Sequence, residues 1–310
     1  MTIIRFLQRV ALFSGMILLL ILVVEGMLRQ VPNIYAYKQS LVEQQGGRMK
    51  HIILGSSVVD CSLNPRIIAD STYNLAIAGQ WYRYSLAFLE KNLDKLPCLD
   101  CIVFGACYHS FWCDDSPEQD IRSFVSHWVY MDIGHADGLL SYSELLTSGS
   151  LSLRKWSKYY LQRRPTMHCD SLGLDHGYHS SKRGGEWKTE IPEDALAQTM
   201  SLDASANEEL FAANSERLNR LAELCEQQGL RLIFVIPPVH PLYWEHSKQA
   251  QWNRVDAALA DLAMRWDCVE YRNYAHDARF VDDDFFDGNH LNSDVGGAKF
   301  SLIVKEDFGL

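Results

Sequence analysis

The stretch HIILGSS, residues 51–57, decides the fold. Its apolar run, His51–Leu54, has the length of a buried strand, and Gly55-Ser56-Ser57 ends it in turn residues. Four more runs of the same kind follow at Tyr73–Ala78, Cys101–Phe104, Leu232–Ile236 and Cys268–Tyr271. Helical patterns separate them. Trp252, Val255, Leu259, Leu262 and Trp266 recur at helical spacing, as do Leu218, Leu221 and Cys225 in a helix that Gly229 would cap. Strands alternating with helices imply βαβ units, so the chain reads as an α/β protein with a parallel, flavodoxin-like doubly wound sheet.

Outward from these runs the rhythm breaks twice. Residues 109–205 are rich in Trp, Tyr, His and Ser without a clear period and read as an insertion packed over one end of the sheet. Their aromatic side chains would form either a small core or a carbohydrate-stacking surface. At the other end, Arg5 and Arg9 precede an uncharged run from Val10 to Val24, and Glu25 alone interrupts the apolar stretch that continues to Leu28. The length falls between that of a signal-peptide core and that of a spanning helix. No small-x-small cleavage site follows Val24, so an uncleaved signal anchor is expected in preference to a cleaved signal peptide or a buried helix. The two arginines would hold the N-terminus in the cytoplasm, leaving a single-pass inner-membrane protein with its main domain periplasmic or extracellular. The expected organisation is a membrane helix over 1–28, a polar stalk over 29–48, and one α/β domain over 49–310 carrying the insertion.

Composition narrows the function. With 310 residues, 47% hydrophobic and 22% charged, the chain is neither disordered nor polytopic. The net charge is −10, and beyond residue 30 there are 26 basic against 38 acidic residues. Such a balance lacks the basic footprint of a nucleic-acid binder. Cys98 and Cys101 form C-L-D-C, but no second CxxC or His pair at zinc-site spacing accompanies it. A Cys98–Cys101 or Cys107–Cys113 disulfide is open on sequence alone. His168, His176 and His179 stand among Asp170 and Asp175 at no metal-site spacing, and neither a metal nor an organic cofactor is expected.

In an open parallel sheet, ligands bind beyond the carboxyl ends of the strands. The residues there are Ser56 and Ser57 after the first run, Gly79 after the second, Cys107, Tyr108 and His109 after the third, and His240 between prolines after the fourth. Late in the chain, Asp287 and His290 stand three apart in DGNHLN. A carboxylate at that spacing can hold one ring nitrogen of the histidine while the other faces outward, as a general base acting on a serine requires. A solvated acidic loop after Asp282-Asp283-Asp284 is the plainer alternative. His240, Tyr108 and His109 are candidates for substrate contact, with a surface turn as the alternative for His240.

Taken together these motifs resemble the SGNH (GDSL-like) hydrolase superfamily over residues 49–108 and 229–305. LGSS at 54–57 matches its first block with Ser57 at the nucleophile position, Asn74 and Gly79 match the second, and Asp287 with His290 match the last. The resemblance implies a Ser57–His290–Asp287 relay, with the amides of Ser57 and Gly79 as oxyanion donors. It departs from the family at the third block, where an Asn is usual and Cys107 stands. The same departure and an N-terminal anchor mark a membrane-anchored subgroup similar to the D-alanyl-lipoteichoic acid transfer protein and polysaccharide O-acetylation proteins. The resemblance thus implies acyl-ester hydrolysis or O-acyl transfer on an acylated glycan or small ester of the cell envelope, with a multispanning membrane acyltransferase as a possible partner. The rival expectation is a non-catalytic envelope protein that keeps this fold and binds a glycan or such a partner.

Overall fold

A computed structural model describes residues 3–113, 117–134, 143–183, 187–204 and 208–310. In chain order its elements begin with α1 (Ile3–Arg29), α2 (Ile34–Gln45), β1 (His51–Gly55), α3 (Ser57–Asp60), α4 (Pro65–Ile68) and β2 (Thr72–Asn74). Next come α5 (Tyr82–Asn92), β3 (Cys101–Gly105), α6 (Pro117–Met131), α7 (Glu144–Thr147), α8 (Gly149–Trp156) and α9 (Trp187–Ala204). The last are α10 (Glu208–Gln228), β4 (Arg231–Ile236), α11 (Pro241–His246), α12 (Gln249–Arg265), β5 (Val269–Asn273) and α13 (Gly296–Phe308).

The chain forms two compact units, Met1–Tyr37 with Ser116–Met167, and Lys38–Asp115 with His168–Leu310. The second unit holds a five-stranded sheet of order β2-β1-β3-β4-β5, parallel at every described pairing. This is the flavodoxin-like order, in which the chain reverses direction across the sheet between β1 and β3. Both faces of the central strands are buried, which is why β1, β3 and β4 read as continuous apolar runs rather than alternating ones. Ile53, Val103, Ile233 and Val235 point into the core built with α3 and α13, among Val59, Phe300 and Val304. Their neighbours point the other way. Phe104 meets Phe234 and Tyr82 edge-on at 5.5 Å, so both sides carry helices.

Three expectations need correction. The second apolar run, Tyr73–Ala78, is strand only to Asn74: Leu75 and Ile77 still donate to Ile53 and Gly55, but the chain turns off the sheet edge. The stalk over 29–48 is helical from Ile34, and Lys38, Leu41 and Val42 are buried. Its polar composition misleads because Lys38 meets a buried carboxylate. The insertion over 109–205 is not one body, since Ser116–Met167 belongs to the first unit with α1 and the remainder belongs with the sheet.

In the first unit, α1 is long and apolar enough to cross a membrane. Glu25, the lone acidic residue of α1, is buried. Its carboxylate accepts from Ser143 Oγ at 2.9 Å, from the Glu144 and Leu145 amides at 3.0 Å each, and from Arg29 Nε at 3.0 Å. It thereby satisfies the otherwise orphaned amides at the start of α7. No disulfide joins the described cysteines, neither Cys98 to Cys101 nor Cys107 to Cys113.

Candidate active site

The site begins with a backbone constraint. Gly55 pairs with Gly105 at the end of β1 and has φ +131°, a region closed to L side chains, and a Cβ there would stand 2.6 Å from the Gly105 carbonyl oxygen. The strand can therefore turn sharply into α3. Ser57 opens that helix, its side chain half-exposed beyond the strand end. At the first position of a helix its amide has no acceptor within the helix and is available to an incoming anion. Asn74 fixes the far side of the turn: its Nδ2 donates to the carbonyls of Val59 and Leu63 at 2.8 and 3.1 Å, and its Oδ1 accepts from the Ala76 amide. Five residues on, Gly79 has φ +75° and open space where a Cβ would be.

The last loop brings its own residues to Ser57. An isolated bridge between Phe285 and Leu291 closes it, and Phe286 donates to the His290 carbonyl at 2.8 Å. Asp287 Oδ1 accepts from the amides of Asn289 and His290 at 3.1 and 2.9 Å. The same carboxylate lies 2.8 and 3.0 Å from His290 Nδ1, and His290 Nε2 lies 2.8 Å from Ser57 Oγ. The result is an unbroken Asp287–His290–Ser57 chain across 233 positions of sequence. Burial works to raise the Asp287 carboxyl, but the charge of His290 and the bonds from its ring and from the two amides outweigh it and hold the group below the usual carboxylate range. Asp287 is thus ionised wherever His290 would act as a base. The Nδ1 proton belongs on the Asp287 side, which leaves the Nε2 lone pair to Ser57.

Of the remaining sequence candidates, Cys107 lies beside the serine turn, its Sγ 3.8 Å from Ser56 Oγ, 2.6 Å from Ser110 Oγ and 4.0 Å from His109 Nε2. Burial pushes this thiol up, yet the charge of His109 and the bonds from His109, Ser110 and Ser56 more than offset it and bring it to about 7. Cys107, Tyr108 and His109 line a small pocket together with Val58, Tyr243 and Asn289, which are chain neighbours or contacts of the relay loops. Tyr108 stacks on Trp252 at 4.5 Å and is buried, so it shapes this pocket rather than standing in the open.

His240 requires correction. It lies at the same end of the sheet, its amide donating to the Gly288 carbonyl at 2.9 Å, but its ring is 2% exposed. Nδ1 accepts from the Leu242 amide, capping α11, and Nε2 lies 3.0 Å from Asp282 Oδ1. The flanking prolines stiffen a brace for the relay loop, not a substrate contact. The histidines at 168, 176 and 179 do not converge, and among the described residues no group of three metal-ligating side chains does.

Three residues were invisible to motif reasoning. Tyr178 lies against His290 with ring centroids 4.9 Å apart and meets Phe286 on its other side. The segment carrying it is tied down by the Asp175 amide, which donates to the Asp60 carbonyl, and by the Ser293 amide, which donates to the Tyr178 carbonyl. Behind the serine turn, fully buried Lys38 donates to Asp60 Oδ1 at 2.5 Å and to the Ala76 carbonyl, joining α2 to α3 and to the segment leading to Gly79. Burial lifts the Asp60 carboxyl to about 6 against the opposing charge of Lys38. An isolated Lys in a polar stretch and an Asp three positions after a serine carry no pairing signal of their own.

No protein-family model and no curated protein matches the chain. Among solved structures it is similar to a Streptococcus pneumonia protein provisionally described as a platelet activating factor, with 12% identity over 96% of this chain and 98% of that one, at a TM-score of 0.44.

Proposed function

We propose that the chain is a serine acyl-ester hydrolase or O-acyltransferase of the SGNH type, held at the membrane by α1. The carrying observation is the Asp287–His290–Ser57 chain, with its 2.8 Å links at both ring nitrogens. Ser57 Oγ attacks the acyl carbonyl while His290 Nε2 takes its proton. The imidazolium so formed is stabilised by Asp287 and returns the proton to the leaving alcohol. The amides of Ser57 and Gly79 receive the developing oxyanion. Water or a sugar hydroxyl then attacks the acyl-enzyme, giving hydrolysis or transfer, and none of these steps calls on a metal or organic cofactor. An acylated envelope glycan is the substrate class we favour.

The second reading, a non-catalytic glycan- or acyltransferase-binding protein, has one observation on its side. Cys107 stands where the resemblance implies an amide side chain as a third oxyanion donor, and losing one such donor costs about 10²–10³ in turnover. A fluorophosphonate probe on the full chain decides between them. Ser57 should be labelled, the Ser57→Ala and His290→Ala variants should both lose the label, and the double variant should be no worse than either, because members of such a unit are non-additive. Parental hydrolysis of an aryl acetate by Ser57→Ala would overturn the catalytic reading.

A further inference from the structure

A second surface, in the first unit, points to lipid. Residues 144–167 contain Arg154, Lys155, Lys158, Arg163 and Arg164 against Glu144 alone, which pairs with Lys155 at 2.9 Å, a local charge of +4 in a protein of net charge −10. The same stretch leaves Leu146, Leu151, Leu153 and Leu161 between 43% and 66% exposed. It also carries Trp156 and Tyr159, each in ring contact with Tyr160 at 5.7 and 4.9 Å, the side chains favoured where one end is apolar and the other wet.

Its depth follows from α1. At 1.5 Å per residue, the uncharged run from Val10 to Val24 covers about 22 Å, somewhat less than the roughly 30 Å of a hydrocarbon core, so the charges that bracket it, Arg9 and Glu25, mark its two boundaries. Glu25 then lies at the outer boundary, facing the headgroup layer. The bonds from Ser143, Glu144 and Leu145 to Glu25 therefore pin α7 at that level, with Leu146 the next residue along. Two further ties hold the segment to the same part of the chain, Tyr160 Oη to the Met27 carbonyl at 3.0 Å and Thr166 Oγ1 to the Pro32 carbonyl at 2.6 Å.

We propose that residues 146–164, comprising the end of α7, α8 and the π-helical turn Ser157–Leu161, form a platform that rests in the headgroup layer of an anionic bilayer beside the point where α1 emerges. The leucines enter the acyl boundary while the arginines and Lys158 meet lipid phosphates. Glu25 is then a docking group: it interrupts the apolar stretch because the platform's first turn needs an acceptor there. The proposal rests on the reading of α1 as a membrane anchor.

The test uses the full chain in nanodiscs containing phosphatidylglycerol and a photoactivatable phospholipid, with crosslinked peptides mapped by mass spectrometry. Crosslinks are expected within 146–164 as well as within 3–23. Leu153→Glu combined with Leu161→Glu should remove the former and keep the latter, with fluorophosphonate labelling of Ser57 at the parental level. Replacing phosphatidylglycerol by phosphatidylcholine should lower the platform crosslinks several-fold, since each basic residue near an anionic surface is worth about a fivefold change in local binding. Crosslinks confined to 3–23 would overturn the platform and leave the anchor standing. Their absence from 3–23 as well would overturn the anchor, and the platform with it. Lipid-free 146–164 in nanodiscs, with protein crosslinks at those residues in native membranes, would replace lipid by a protein partner.

Discussion

Replacing Asp287 by Asn probes the relay with little change of shape. In the parent, Oδ1 accepts from the Asn289 and His290 amides at 3.1 and 2.9 Å, so an Asn in this place keeps its carbonyl oxygen on those two donors. That oxygen is also the nearer acceptor of His290 Nδ1, at 2.8 Å, so the ring N–H keeps a partner, while the new NH₂ group takes the place of Oδ2 and sets a second donor 3.0 Å from the same nitrogen. The hold on the Nδ1 tautomer is thereby weakened, and the negative charge that stabilised the imidazolium is lost outright. For a relay of this kind the exchange of carboxylate for amide costs about 10⁴ in kcat, roughly 5 kcal/mol of transition-state stabilisation. Saturating turnover of an aryl acetate by the full chain should fall by that factor, while the melting temperature moves little because both backbone donors keep an acceptor. A variant within tenfold of the parent, in a protein whose Ser57→Ala form is inactive, would show that His290 does not act through Asp287.

Two other perturbations reach groups the relay does not contain. Lys38→Met should destabilise the protein by about 3–5 kcal/mol by leaving Asp60 buried without its cation. Burial already holds the folded Asp60 carboxyl above its unfolded value, near 6, so stability falls as pH rises through the interval between the two values. Removing Lys38 extends that interval upward, and the loss should therefore be larger at pH 8 than at pH 6. Equal denaturation midpoints for variant and parent at both pH values would refute this. For Cys107, alkylation by iodoacetamide, followed by mass spectrometry, should rise through pH about 7 as the thiolate forms. His109→Ala should move that midpoint upward because it removes the charge that favours the thiolate, and an unmoved midpoint would refute the pairing.

The sheet could be read from the chain because parallel strands buried on both faces are short, continuous and apolar, as in IILG at 52–55 and IVFG at 102–105. The residues of the proposed relay could be named for a related reason: the proposed chemistry calls for a serine at a strand end and an acid beside a histidine, and the Asp287–His290 bond is local. The 2.8 Å contact from His290 to Ser57 is not local; only folding α13 and its preceding loop against α3 produces it. The burial of Lys38, the withdrawal of His240 into a capping role and the placing of Tyr178 against His290 are likewise invisible in composition. Each depends on which distant group supplies the opposite charge, the amide or the ring. A local pattern can specify an element and the kind of atom it offers, because propensity and burial act over a few residues. The partner that satisfies that atom is chosen only when elements far apart in the chain pack together.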